Sequence, residues 1–384
     1  MRKVCISLAT GVLVFLGTNL ASAQYTQINL VADVKGHAIH TDPVLVNAWG
    51  LAFFPHGPFW VADTGTGMST VYGPHGKLLP TAVTIPAAPG QPLGPIGSPT
   101  GLVANSTSDF VISKDGKSGP ARFIFDTIDG LICGWNPDVD PDHAIIVIDY
   151  SAAKPNPRSY PASYYGLAIG RNSQGQTVIY ATDGGRDETH DNNQIDMFDG
   201  NFKYLGSFTD QDIPSNFPPY MGAFGIQSIE NKLYVSFAGF GDNQGGFVDV
   251  FDMDGNLLRR FAGNFSEGPL QAPWGFAMAP SHFGKFSHAL LIGNLQGDQI
   301  NKPGRIKAYD PNTGAFLGVL RHRSGRPIEI GGLWALAFGT DKNANGAKNE
   351  LFFTAGPTFP PNTGFEADGL FGVIRLEDED EDTD

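Results

Sequence analysis

A short aromatic-Gly-aliphatic pattern recurs six times down the chain, at a period of roughly 40 to 60 residues, and a repeat of that length demands a solenoid, an array or a propeller. The copies centre on Trp49-Gly50-Leu51, Thr100-Gly101-Leu102, Tyr165-Gly166-Leu167, Phe224-Gly225-Ile226, Trp274-Gly275-Phe276 and Trp334-Ala335-Leu336. The second and sixth depart from the pattern, with Thr100 in place of the aromatic and Ala335 in place of Gly. Each copy opens a unit of four strands. In the fourth unit the later strands are 232–236, 246–252 and, after the turn Asp254-Gly255-Asn256, 257–261. The same order returns in the first and fifth units. Glycine in the innermost strand is expected where strands converge on an axis and a side chain would meet its neighbours.

The sixth unit stops after three strands, ending at 370–376, and the missing fourth is expected at the other end of the chain, at 28–33. Pairing the two would close the ring and remove an exposed sheet edge. The sequence therefore predicts an all-β fold, a six-bladed β-propeller with four-stranded blades whose ring is closed by the N-terminal strand, as one domain over 24–376. Composition agrees: 49 Gly and 28 Pro stand beside 28 Phe, 11 Tyr and 5 Trp in 384 residues, without a collagen period, so packed strands joined by many turns are favoured over a triple helix or disorder. The formal charge of −14 disfavours nucleic acid and anionic lipid surfaces as partners.

Residues 1–23 read as a signal peptide. Arg2 and Lys3 begin it, a short apolar run centres on Val12 to Leu16, and Ala21-Ser22-Ala23 offers a cleavage site before Gln24. That run is broken by Gly11, Gly17, Thr18 and Asn19, and no later segment is long enough to span a bilayer, so a secreted or periplasmic protein without membrane insertion is expected. Cys5 leaves with the signal, Cys133 is then alone, and no intrachain disulfide can form. Cys133, within Leu131-Ile132-Cys133-Gly134-Trp135, is read as a small buried hydrophobe. The stretch 377–384 carries seven acids and no apolar residue, as an acidic disordered tail would.

The turn Asp254-Gly255-Asn256 and the following Leu257-Leu258-Arg259-Arg260-Phe261, after Val250-Phe251-Asp252, resemble NHL-type propeller blades. The opening Thr41-Asp42-Pro43-Val44-Leu45-Val46-Asn47-Ala48-Trp49-Gly50, with Phe59-Trp60-Val61-Ala62-Asp63-Thr64-Gly65-Thr66-Gly67, resembles exported bacterial propellers of unassigned function. Gluconolactonase-like and strictosidine-synthase-like enzymes are more distantly similar. The resemblance implies the fold and leaves open whether the chain is an enzyme or a binding module.

In a propeller the loops entering the inner strands and those joining the second and third strands share one face, where ligands meet several blades. Asp63, Asp183, Asp187, Asp191, Asp242 and Asp298 lie in those loops as a candidate calcium site at the channel mouth. A calcium ion there could polarise a lactone or ester carbonyl, whereas the alternative reading makes these residues ordinary turn formers. Asp341, Asn343 and Asn345, followed by Gly346, have the spacing of a shortened calcium loop, a structural one. Asp138, Asp140 and Asp142 share that spacing but read as a proline-stiffened turn. Candidate ligand contacts are His37, His40, Asn47, Tyr160, Tyr164, His190 and Tyr220. The recurring Trp49, Tyr165, Phe224, Trp274 and Trp334 are read as packing between blades. No G-x-S-x-G, H-E-x-x-H or P-loop motif is present, and no catalytic residue is assigned. The expected function is an exported propeller binding a small molecule, a glycan or an extracellular protein. The alternative is a metal-assisted hydrolase or lyase acting on a lactone or polysaccharide.

Overall fold

Each repeat becomes one blade. A computed structural model of the chain describes residues 24–90, 94–152, 160–185, 193–213, 221–239, 245–263, 270–297, 302–359 and 367–377. Blade 1 is built from Ala48–Ala52, Phe59–Asp63, Met68–Tyr72 and Leu78–Thr84, paired antiparallel in that order from the axis outward. The inner strands of blades 2 to 6 are Pro99–Ala104, Tyr164–Arg171, Met221–Ile229, Pro273–Met278 and Leu333–Phe338. Every inner strand packs against the inner strand of the next blade, and the sixth against the first, so the ring is closed.

Closure comes from the beginning of the chain. Tyr25–Ala32 pairs antiparallel with Leu370–Leu376 and serves as the outer strand of blade 6, from Tyr25 opposite Leu376 to Ala32 opposite Leu370. Two features go beyond the repeat. His40–Thr41 adds a short parallel strand outside this edge, and blade 2 carries an inserted hairpin, Val111–Lys114 with Lys117–Pro120, between its first two full strands.

The second strands Phe59–Asp63, Phe123–Thr127, Thr177–Asp183, Leu290–Asn294 and Leu351–Ala355 are buried at every residue, because neighbouring blades cover both faces. The outer strand Leu78–Thr84 instead alternates toward solvent. The inner-strand glycine is explained by the blade-to-blade approach. A Cβ on Gly225 would lie 2.2 Å from the Trp274 carbonyl oxygen, and one on Gly275 2.3 Å from that of Trp334. Cys133 is fully buried in the seam between blades 1 and 2, among Trp60, Phe125 and Trp135, where burial pushes its thiol pKa up.

A second recurring position fastens the blades. At corresponding positions near the ends of the second strands stand Ala62, Asp126, Thr182, Ser236, Gly293 and Thr354. The Thr182 hydroxyl donates to the Phe224 carbonyl of blade 4 at 2.6 Å. Thr354 donates to the Trp49 carbonyl of blade 1 and accepts from the Ala335 amide at 3.0 Å. These bonds tie a second strand to inner strands on both sides, satisfying backbone groups that water cannot reach.

Candidate functional site

At the face where inner strands begin and second strands end, five aromatic rings from five blades meet on the axis. Trp49 stacks on Trp334 with centroids 3.7 Å apart, and Trp274 meets both edge-on at 6.3 and 6.0 Å. Phe224 packs on Trp334 and Tyr165 at 6.0 and 5.8 Å. Hydrogen bonds fix the indoles: Trp334 Nε1 donates to Asn47 Oδ1 at 2.9 Å, and Trp274 Nε1 to the Tyr165 carbonyl at 2.8 Å. Blade 2, where Thr100 replaces the aromatic, contributes no ring. Beyond the plug a narrow channel, with a cavity volume of only about 20 Å³, is lined by inner-strand residues including Gly50, Gly101, Leu167, Gln227 and Ala335.

The polar residues expected at this mouth are mostly built into the scaffold. Asn47 has φ +49°, a left-handed conformation that asparagine tolerates, and its amide oxygen is taken by Trp334. Tyr164 is fully buried and its hydroxyl donates to Asp196 Oδ2 at 2.8 Å, so its side chain faces the blade interior rather than a ligand. Asp183 is fully buried and its Oδ1 accepts from the Ser163 and Gly185 amides at 2.9 and 3.2 Å. Asp63 is fully buried at the end of its strand in blade 1, and burial raises its carboxyl pKa well above the usual range. His37 is half-buried and stacks on Phe359 at 3.9 Å, while Tyr160 is 46% exposed. His40 lies at the rim, its Nε2 3.1 Å from the His75 carbonyl in the turn joining the outer strands of blade 1. Asp187, Asp191, His190, Tyr220, Asp242 and Asp298 lie outside the described residues. Among the described residues no three His, Cys, Asp or Glu side chains come together as a metal-holding group.

The Asp341 loop lies on the opposite face and joins blade 6 to blade 1. The Asn345 amide oxygen accepts from the Thr340 and Asp341 amides at 2.7 and 2.9 Å, and its nitrogen faces the Phe54, Pro55 and Gly57 carbonyls at 3.0 to 3.2 Å. Asp341 accepts from the Asn343 amide and pairs with His56 Nδ1 at 2.7 Å, which lowers its pKa. Asn343 lines a groove of about 430 Å³ with His75, Lys77 and Lys342. Asp140 caps its own turn through the Asp142 and His143 amides and pairs with Lys114 at 2.5 Å, as a stiffened turn requires.

One residue that the loop-based reading passed over stands beside the channel. Asp126 is fully buried, its Oδ1 accepting from the Thr100 hydroxyl at 2.8 Å and from the Gly101 amide, while its Oδ2 has no hydrogen-bond partner. Burial pushes its pKa up to about 7 against those two bonds. Its signal in the sequence was the single carboxylate among Ala62, Thr182, Ser236, Gly293 and Thr354 at the equivalent position.

Comparison with known proteins places this architecture in a family. No family model matches the chain. Uncharacterized protein R648 of Acanthamoeba polyphaga mimivirus is 30% identical over 358 residues, covering 90% of this chain and 78% of the viral protein. The chain belongs to its family. Uncharacterized protein L690 of the same virus is 30% identical over 332 residues, covering 84% of this chain and 80% of its own length. Among solved structures, the PQQ-bound aldose sugar dehydrogenase of Streptomyces coelicolor shares the fold, with a TM-score of 0.50 at 13% identity over 92% of this chain and 99% of that one. Among the described residues no helix is long and apolar enough to cross a membrane.

Proposed function

We propose that the protein is an exported propeller that binds a ligand or partner through the face carrying the aromatic plug. The observation that carries this reading is the plug itself: five rings fill the axis where a substrate entering the channel would have to pass. Recognition then falls to the loops around the plug. Tyr160 is 46% exposed and Tyr165 half-buried, and such rings suit the C–H face of a sugar or an apolar patch on an extracellular protein. Export is supported by where the first strand starts. Cleavage after Ala23 leaves Tyr25–Ala32, the strand that closes blade 6, intact. The net charge of −14 argues against nucleic acid as the partner.

The test is calorimetric titration of the purified protein with a panel of neutral and acidic oligosaccharides, beside Tyr160→Ala and Tyr165→Ala. Saturable binding weakened about tenfold or more by either substitution is expected, with the melting temperature unchanged for the exposed Tyr160 and lowered for the plug ring Tyr165; tenfold corresponds to about 1.4 kcal/mol. Turnover of a lactone or ester that calcium restores after chelation, without saturable glycan binding, would instead favour the metal-assisted hydrolase.

A further inference from the structure

We infer that the seam between blades 6 and 1 holds a divalent-cation site built from Asp42, Asp63, Thr70 and Tyr72, with calcium the best-matched ion. Strand geometry brings these residues together. Val61 lies opposite Thr70 and Phe59 opposite Tyr72, so Asp63, two residues beyond Val61, projects from the same face of blade 1 as Thr70 and Tyr72. That face packs against Leu30, Val31, Phe371 and Val373 of blade 6, an apolar and dry surrounding. Asp42 is brought in by the chain leaving the closing strand: its amide donates to the Ala32 carbonyl at 3.0 Å and its Oδ2 accepts from the Tyr72 hydroxyl at 2.6 Å. Its Oδ1 accepts from the Val44 amide at 3.1 Å.

The oxygens left over point to a ligand. Asp63 is 0% exposed and neither of its carboxyl oxygens is held by a well-formed hydrogen bond; the Thr70 hydroxyl, 1% exposed, lies close to it but makes no well-formed bond either. Among the described residues no Lys, Arg or His pairs with Asp42 or Asp63. Two carboxylates in an apolar seam require a counter-charge, and a proton or a cation is what can supply it. A proton on Asp63 would form one hydrogen bond. A divalent ion balances both charges and takes up both Asp63 oxygens and the Thr70 hydroxyl, a hard, all-oxygen set with the mixed carboxylate and neutral donors that calcium accepts. The Tyr72 hydroxyl, bonded to Asp42 and on the same strand face as Asp63, brings the groups into one small space. The ion would tie blade 1 to the chain segment that follows the closing strand, a structural role separate from recognition at the plugged face.

The experiment is elemental analysis and thermal melting of the purified protein after chelator treatment, with calcium then titrated back. Expected are one calcium per chain and a saturable rise of a few degrees in melting temperature, because an ion that binds only the folded state stabilises it. Both should be lost in Asp63→Asn, while Thr70→Val, which keeps the shape of the side chain, should need a higher calcium concentration for the same rise. Asp183→Asn should retain the response. Two results overturn the inference: a calcium response that survives in Asp63→Asn, or no ion in the native protein together with an Asp63→Asn variant at least as stable, which would make a proton the counter-charge.

Discussion

Asp126 shows how one buried carboxylate sets a pH dependence for the whole molecule. Its folded pKa of about 7 stands above the value of about 3.9 expected in the unfolded chain. Below about pH 4 both states hold the proton and no penalty exists. Between about pH 4 and 7 the unfolded chain releases it while the folded chain keeps it, so stability falls as pH rises, by up to about 1.4 kcal/mol per unit. Above that window the penalty is complete. Asp249, raised to about 7 by burial despite Arg260 beside it at 2.6 Å, acts in the same window. Melting temperatures measured from pH 4 to 7.5 should therefore decline less steeply in Asp126→Asn than in the parent, and equal slopes would contradict the assignment. Asn345 carries a different burden. Replacing it with alanine strands the Thr340 and Asp341 amides and three carbonyls, a loss of about 2–4 kcal/mol that urea unfolding would register.

The blade explains why some residues could be read from the sequence and others could not. Gly225 and Gly275 recur because a backbone lies within 2.2 and 2.3 Å of where a Cβ would sit, and a constraint repeated in every blade leaves a period in the chain. The closing strand was legible for a related reason: a sixth unit with three strands leaves an edge that must be paired. Its extent, Tyr25–Ala32 rather than 28–33, was not, since the register with Leu370–Leu376 is set by pairing partners far away in sequence. Asn345 and Tyr164 are similar cases. Their spacing and loop position suggested ligands, but their partners lie in other elements, at Phe54 to Gly57 and at Asp196. At this scale the bond from Thr354 to blade 1 is the one to cut. Thr354→Val should cost about 1–3 kcal/mol in urea unfolding, because the Trp49 carbonyl and the Ala335 amide then lose their buried partner.

For the molecule as a whole, closure of the ring and closure of its axis have separate origins. The ring is closed by a strand from the beginning of the chain, so deleting 24–32 should leave the outer edge of Leu370–Leu376 unpaired and replace one cooperative melting transition by aggregation or a broad one. The axis is closed by side chains, and the functional reading rests on them. Its most direct test is acrylamide quenching of tryptophan fluorescence in the purified protein. All five tryptophans are buried, Trp49 at 1%, Trp60 at 6%, Trp135 at 4%, Trp274 at 9% and Trp334 at 0% exposure, and three of them form the plug. The expected result is a blue-shifted emission that acrylamide quenches only weakly until the protein unfolds. Strong quenching of a large share of the emission in the folded protein would mean that the mouth is open, and would contradict recognition through a plugged face.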